Sequence, residues 1–498
     1  MSSHKSTNID DLVEFEENIE LPITNKTHKI KKSSSAKLSL QKKQKLTAIK
    51  SRIKRATAKK RISKFMKSTK PQRQSAFLNA ICSDSGICIG FGKENKKIKE
   101  FFDGFSFTYA NPEVIRIGST SVNGFVNEIS FERLGYKSHG ILKSAKQRYS
   151  DNLFYEYIVG TYFINEQKKY FPCFVETYGC YKYKDTNAYN EFEYNNSDSI
   201  TKKYKYKTIT DMQNKLIPIK GFSDGLKESC IQPTNIAILI EHVKDARSLE
   251  HMLFYTSEFH TDDLVTTLFQ IYAPLSHLKD NFTHYDLHTN NVMIFKPFQN
   301  GYIRMHYHFN DSDIISFDTR YIAKIIDYGS SFFMDPKNPE QNSKSFYDLL
   351  CRKKECNPKN KAPCGVNDGY SLFNPKNVHN YILTSQRNMS HDLRLFRLCN
   401  KNTPIIDKII ENIVYNGDYG TPEITENAFN PKNGINSSIN NVTDAYDILK
   451  SIIRDELKYT NYDFASKNKQ YYSKNSKLKK MGDLHVYFDG REMKYESI

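Results

Sequence analysis

The sequence predicts an α+β protein, because a long helical pattern and short apolar strands share one chain. The clearest helical pattern is 262–278, where apolar residues recur at helical spacing. The runs 235–240, 292–295 and 322–326 are apolar and short, as expected of buried strands. The chain has 498 residues, which is enough for two lobes with a substantial core.

The composition excludes several classes of protein. Hydrophobic residues make up 38% of the chain and aromatic residues 13%, so the chain is not wholly disordered. No apolar run approaches the roughly 18–20 residues that a membrane helix needs, and the first twenty residues contain no apolar leader. Nine irregularly spaced cysteines favour reduced thiols over a disulfide framework. We therefore expect an intracellular protein with no membrane partner.

The positive charge is concentrated near the N-terminus. The formal net charge is +17, but residues 26–73, here called the basic arm, contain nineteen Lys and Arg and no Asp or Glu. The rest of the chain therefore carries a net charge of about −2. The basic arm has too few apolar residues to offset the entropy of ordering it. We expect residues 1–75 to form a disordered tail, first acidic and then basic. The basic arm is either a site for nucleic acid or an acidic protein, or a solvated tail.

Three polar residues lie where strands and loops meet. Asp286 lies in the loop between the helical pattern 262–278 and the strand 292–295, and it can orient a hydroxyl group and accept its proton. Asn291, five residues later, can reach a metal ion through its amide oxygen. The strand 322–326 ends in Asp327, whose carboxylate can bind a cation. These residues predict one catalytic and two metal-binding side chains.

The pattern H-x-D-L-x-x-x-N at 284–291, followed by D-Y-G at 327–329, resembles the catalytic loop and the metal-binding element of the protein-kinase superfamily. The resemblance covers about 117–394, and the extended insertions are similar to those of serine/threonine-protein kinases encoded by large DNA viruses. It implies a bilobal protein-kinase-like fold, with a small β-rich lobe containing one main helix and a larger, mainly helical lobe. The implied segments are a connecting segment 76–110, an N-lobe 111–243, and a C-lobe 244–498 with insertions at 297–321 (a hairpin) and 330–387 (the activation region).

The resemblance also implies an ATP site. Lys143 matches the lysine that binds the α- and β-phosphates, and the helical pattern 151–167 that follows offers its partner. Glu156 and Glu166 compete for that role, and Glu156 is favoured because its apolar neighbours place it on the packed face of the helix. The backbone from Glu241 to Val243 is implied to hold the adenine. The matching residues of the phosphate-covering loop, in which serine replaces two glycines, are Gly118, Ser119, Ser121, Gly124 and Val126.

The implied cofactors are ATP and Mg²⁺, and the implied reaction transfers the γ-phosphate to a Ser or Thr hydroxyl of a protein. In that reading Asp327 and Asn291 bind Mg²⁺ and Asp286 takes the proton of the hydroxyl. Asp392, in the S-H-D-L-R segment at 390–394, matches the residue that braces the catalytic loop. His284 is expected to pack beneath this loop.

Departures from the family pattern leave two alternatives open. Tyr285 stands where the catalytic loop usually has Arg, so activation by loop phosphorylation is not expected in its familiar form. His288 replaces the usual Lys, and no A-P-E triplet precedes Asp392. These two features are compatible with a small-molecule kinase of the aminoglycoside or choline type. The serines of the phosphate loop leave open a pseudokinase scaffold that binds nucleic acid through its basic arm.

Overall fold

The structure is a computed structural model. It describes residues 79–82, 87–118, 124–145, 152–193, 203–205, 209–232, 234–351, 368–371, 381–399, 404–414, 424–456 and 478–498. The predicted disordered tail, 1–75, lies outside the described residues, as do Ser119, Ser121 and parts of 330–387.

A seven-stranded antiparallel sheet dominates the first half of the described chain, with strand order β7-β3-β4-β5-β9-β6-β8. Its strands are β3 (Ala110–Ile117), β4 (Gly124–Arg133), β5 (Tyr136–Ala145), β6 (Thr177–Tyr183), β7 (Lys203–Lys205), β8 (Leu216–Pro218) and β9 (Ile236–Glu241). A short ribbon, β1 (Ile81–Cys82) and β2 (Cys88–Ile89), precedes it. Leu134 and Gly135 join β4 to β5 with φ values of 51° and 84°, as a two-residue turn with positive φ at both positions requires.

Helices flank this sheet. The principal one, α2, begins at Asn152–Val159 and continues through a π-helical turn, Gly160–Ile164, to Asn165–Gln167, which confirms the predicted helix. It approaches β6 closely, because a Cβ on Gly160 would lie 2.1 Å from the Thr177 hydroxyl oxygen. The other described helices before residue 243 are shorter than this one. The other helices of this part are α1 (Lys93–Phe101), α3 (Thr186–Glu193), α4 (Ile209–Gln213) and α5 (Gly221–Leu226), which continues as a π-helical turn, Lys227–Ile231.

The second half contains the predicted central helix, α7, at Thr261–His277. It is buried along most of its length because its apolar residues face both α11 and the strands beneath it. The other described helices here are α6 (Leu249–Tyr255), α8 (Ser343–Cys351), α9 (Arg394–Leu398), α10 (Pro404–Glu411) and α11 (Val442–Ser451), which continues as Ile452–Glu456. The short strands are β10 (Arg247–Ser248), β11 (Phe282–Thr283), β12 (Val292–Phe295), β15 (Ile322–Ile325), β16 (Phe332–Phe333), β17 (Asp368–Ser371) and β18 (Tyr381–Leu383).

A second sheet shows that this half is less purely helical than predicted. The predicted hairpin within 297–321 is present, and it joins a C-terminal hairpin through a parallel pairing of β13 with β19, which the sequence did not predict. The order is β14-β13-β19-β20. The strands are β13 (Gly301–His308), β14 (Ile314–Thr319), β19 (Lys479–Tyr487) and β20 (Lys494–Ser497). Alternate residues of β13 are buried, so one face of this sheet contributes to the main core.

The cysteines do not all follow the prediction of reduced thiols. Cys82 and Cys88 form a disulfide that joins β1 to β2, and Cys230 is also disulfide-bonded. Cys173, Cys180 and Cys399 are free and buried. The prediction is therefore wrong for the bonded cysteines. Among the described residues, none of the helices has the length and apolar character that crossing a membrane requires.

Candidate functional site

The site is centred on Lys143, whose ammonium group lies between two carboxylates. Its Nζ is 2.6 Å from Glu156 Oε2 and 2.8 Å from Asp327 Oδ1. These residues come from β5, α2 and the segment after β15, so the cluster joins both halves of the chain. The competing residue, Glu166, binds Lys169 and Lys337 instead. Of the two competing carboxylates, Glu156 is therefore the one in contact with Lys143.

Local structure explains why these side chains meet. Lys143 pairs across the sheet with Val126, so both side chains lie on the same face of the sheet. Glu156 is 3% exposed and projects from the buried side of α2. Asp327 has a φ of 69°, in the left-handed region, where a residue other than Gly carries backbone strain. Strain of this kind is typical of functional sites.

The charges of this cluster are strongly coupled. Burial would lower the pKa of Lys143, but Asp327 and Glu156 outweigh it and raise that pKa above its ordinary value. Burial raises the pKa of Glu156 to about 7. Burial would likewise raise the pKa of Asp327, but the Lys143 ammonium outweighs it and holds that pKa below its ordinary value. The site therefore keeps a cation beside an ionised Asp327 at neutral pH.

Asp286 lies in the loop 284–291 beside Asn291. Asn291 Nδ2 donates to the Asp286 carbonyl oxygen at 2.9 Å and to its Oδ2 at 3.4 Å. Burial raises the pKa of Asp286 to about 6, Asp327 adds to the rise and Arg394 opposes it. A carboxylate with a pKa close to neutrality is suited to accepting a proton.

Asp392 braces this loop from below, as the sequence predicts. Its Oδ2 accepts from the His284 backbone N–H at 2.7 Å, and its Oδ1 accepts from the Tyr285 backbone N–H at 3.0 Å. Asp392 is only 2% exposed. The charge-assisted bonds hold the backbone one and two residues before Asp286.

The two histidines of the loop have different environments. His284 is fully buried and donates through Nε2 to the Ile326 carbonyl oxygen at 3.0 Å, so it packs beneath the loop as predicted. His288 has a side chain that is 28% exposed, and its Nε2 lies 3.8 Å from Asp286 Oδ1. Burial lowers the pKa of His288 to about 4, so its ring is neutral at pH 7.

The predicted adenine-binding segment is anchored by buried ions that no sequence pattern indicates. The Glu241 carboxylate lies 2.7 Å from Lys168 Nζ, and the Glu241 N–H donates to the Glu176 carbonyl oxygen at 2.7 Å. Val243 follows β9 and is buried, and its carbonyl oxygen accepts from the Ala246 N–H. Burial would raise the pKa of Glu241, but Lys168 outweighs it and lowers that pKa.

Of the predicted phosphate loop, residues 119–123 lie outside the described residues, and the residues on either side of them are described. Gly118 directly follows β3 and has a φ of 66°, and Gly124 begins β4. A Cβ on Gly124 would lie 2.0 Å from the Ser144 carbonyl oxygen, so this close approach of β4 to β5 requires glycine. Ser119 and Ser121 lie outside the described residues.

Asp327 and Asn291 provide the oxygen donors that Mg²⁺ prefers. The Asp327 side chain is 42% exposed, so one face of the carboxylate is open to a ligand. Among the described residues, no group of three or more His, Cys, Asp and Glu is arranged to hold a metal ion. A site for nucleotide-bound Mg²⁺ does not require such a group, because protein carboxylates share that ion with phosphate oxygens and water. The donor set therefore fits Mg²⁺ bound together with phosphates.

A cavity of about 1010 Å³ lies away from this cluster. Its walls include the end of α2, the helix α1 and the segment 335–337. Lysines and carboxylates line it in nearly equal numbers, for example Lys99 with Glu176, which are 2.7 Å apart. None of the predicted catalytic or metal-binding residues lines it.

No protein-family model matches the sequence, and no curated protein matches it either.

Proposed function

We propose that this protein is an ATP- and Mg²⁺-dependent phosphotransferase with a bilobal protein-kinase-like fold, and that it acts on Ser or Thr hydroxyls of proteins. The observation that carries the proposal is the contact of Lys143 with both Glu156 and Asp327. The sequence resemblance assigned phosphate binding to the first residue and metal binding to the last. Their convergence across 184 residues of chain supports a shared site.

The chemistry follows from what each side chain can do. Phosphoryl transfer depends on positioning and charge neutralisation more than on covalent chemistry. Lys143, held by Glu156, would bind the phosphates. Asp327 and Asn291 would hold Mg²⁺, which supplies further neutralisation of the phosphate charge when bound. Asp286 would orient the acceptor hydroxyl and take its proton, a role that typically contributes about 10²–10⁴-fold in rate.

Substitution of Asp286 tests this proposal. We expect Asp286→Asn to lower phosphate transfer from labelled ATP to generic protein acceptors by at least about 10²-fold. Thermal stabilisation by Mg²⁺ and ATP should persist, because Asp286 is not a proposed phosphate ligand. The matched control is Asp280→Asn, since Asp280 is an exposed carboxylate outside the loop 284–291. Turnover by Asp286→Asn at the wild-type rate would contradict the proposal.

The same assay separates the alternative functions. His288 is neutral and offers no cation where the family usually has Lys. Whether the phosphate acceptor is a protein or a small molecule therefore needs its own test. Incubation with labelled ATP and a cell lysate that yields label only in small molecules would favour a small-molecule kinase. Absence of any Mg²⁺-dependent stabilisation by ATP would favour a scaffold. A salt titration of nucleic-acid binding, with and without residues 26–73, would then test the basic arm.

A further inference from the structure

Arg394 is a buried cation directly beneath the catalytic loop. It is the first residue of α9, two positions after Asp392, and it is 6% exposed. The resemblance gave it no role. Burying a guanidinium group is costly unless charges or carbonyl oxygens compensate for it, so its contacts indicate its role.

Arg394 contacts Asp286, the residue proposed as the base, and the backbone next to it. Its Nη1 donates to the Tyr285 carbonyl oxygen at 3.1 Å and lies 3.6 Å from Asp286 Oδ1. The N–H of Tyr285 is bound by Asp392 at 3.0 Å. The backbone of Tyr285 is therefore held at its N–H by Asp392 and at its carbonyl oxygen by Arg394.

The backbone at this point would not hold its shape unaided. Tyr285 has a φ of 62°, a conformation that is strained for a bulky residue and persists only where its surroundings impose it. The Tyr285 hydroxyl adds a third restraint, because it donates to the Gln386 carbonyl oxygen at 2.8 Å. Asp286 follows directly, so the direction of its side chain depends on this restrained peptide.

We propose that Arg394 is a positioning residue, which holds the Tyr285 peptide and the Asp286 carboxylate in the orientation that phosphate transfer requires. This inference rests on the proposed function of Asp286. A planar guanidinium can bind a carbonyl oxygen and a carboxylate at the same time, whereas Lys offers a single point charge. A base must lie within about 2.6–3.2 Å of the proton it takes, so a small reorientation of Asp286 lowers turnover.

The test compares Arg394→Met and Arg394→Lys with Arg397→Met. Arg397 lies one turn further along α9 and is exposed, so it controls for loss of a cation from the same helix. We expect Arg394→Met to lower kcat at least 10-fold with KM for ATP within twofold of wild type, and Arg394→Lys to restore part of kcat. An unchanged kcat in Arg394→Met, or a raised KM for ATP with unchanged kcat, would overturn the inference.

A double-mutant cycle on stability separates this inference from the proposed function. The effects of Arg394→Met and Asp286→Asn on the unfolding equilibrium should be non-additive by about fivefold or more, because the two side chains are in contact. Arg394→Lys replaces Arg394→Met in the cycle if the Met variant does not fold. Additive effects would overturn the inference whether or not the protein is active. A wild-type protein that transfers no phosphate would refute the proposed function, while the cycle would still decide whether Arg394 positions Asp286.

Discussion

Replacing Asp392 with Asn tests whether the loop 284–291 depends on the hydrogen bonds that Asp392 accepts from it. The carboxylate accepts two backbone N–H groups, at 2.7 Å from His284 and 3.0 Å from Tyr285. Hydrogen bonds to a charged group contribute about 1.5–3 kcal/mol each. Asn keeps one acceptor oxygen and turns an NH₂ group toward the second N–H, so one bond is lost and a buried donor is left unpaired. We expect Asp392→Asn to lower the free energy of unfolding by about 3 kcal/mol.

The assay is urea denaturation combined with turnover at a temperature where the variant stays folded. The matched control is Asp444→Asn, because Asp444 is also fully buried and accepts backbone N–H groups from Ala428, Phe429 and Asn440. Its partners lie outside the loop 284–291. We expect Asp444→Asn to lose at least as much stability but to keep the wild-type kcat, whereas Asp392→Asn loses both stability and kcat.

Two outcomes would refute this reasoning. If Asp392→Asn unfolds within about 0.5 kcal/mol of wild type, the two short bonds do not stabilise the loop as charge-assisted bonds should. If the stability of Asp392→Asn falls but its kcat stays equal to that of Asp444→Asn, the brace supports the fold without setting the geometry of Asp286.

Three further predictions concern the proposed nucleotide site, the stability of the protein in acid, and the disulfide between Cys82 and Cys88. Lys143→Met should abolish thermal stabilisation by Mg²⁺ and ATP, and a shift equal to that of wild type would contradict its assignment. Burial lowers the pKa of His308 and of His485 below the ordinary 6.5, so the unfolded chain binds more protons and stability should fall as pH drops below 6.5. The difference between the urea midpoints at pH 7.5 and pH 5.5 should therefore be smaller in His485→Gln than in wild type. An unchanged difference would count against this role of His485. Cys82→Ser removes the disulfide to Cys88, six residues away, and should lower the free energy of unfolding by about 2 kcal/mol. Reductant should lower that of wild type by at least as much, because it also breaks the disulfide of Cys230.

Sequence patterns predicted the helices and strands around the site better than the way these elements pack together. The helix 262–278 and the strand 292–295 agree with Thr261–His277 and Val292–Phe295, because periodicity and β-branched content are local signals. The apolar neighbours of Glu156 distinguish it from Glu166, because they mark the side of the helix that is buried.

The features that the sequence did not reveal depend on contacts between distant residues. Arg394 contacts Asp286 across 108 positions of chain, and Lys168 meets Glu241 only after β9 has folded beside β6. Neither lysine nor arginine carries a local pattern that marks it as buried. Residues 119 and 121, where the two glycines of the family pattern are missing, lie outside the described residues, so their effect on nucleotide affinity stays a prediction.

The parallel pairing of β13 with β19 has a consequence during protein synthesis. His306 and Asp483 are neighbours in the folded chain but are 177 residues apart in sequence. At about 5–20 residues per second, the ribosome needs roughly 10–35 s to make the partner strand after β13 has emerged. Throughout that interval β13 has an unpaired edge and an uncovered apolar face, which is the kind of surface that aggregates or recruits chaperones. Codon choice between these strands would therefore influence the yield of native protein.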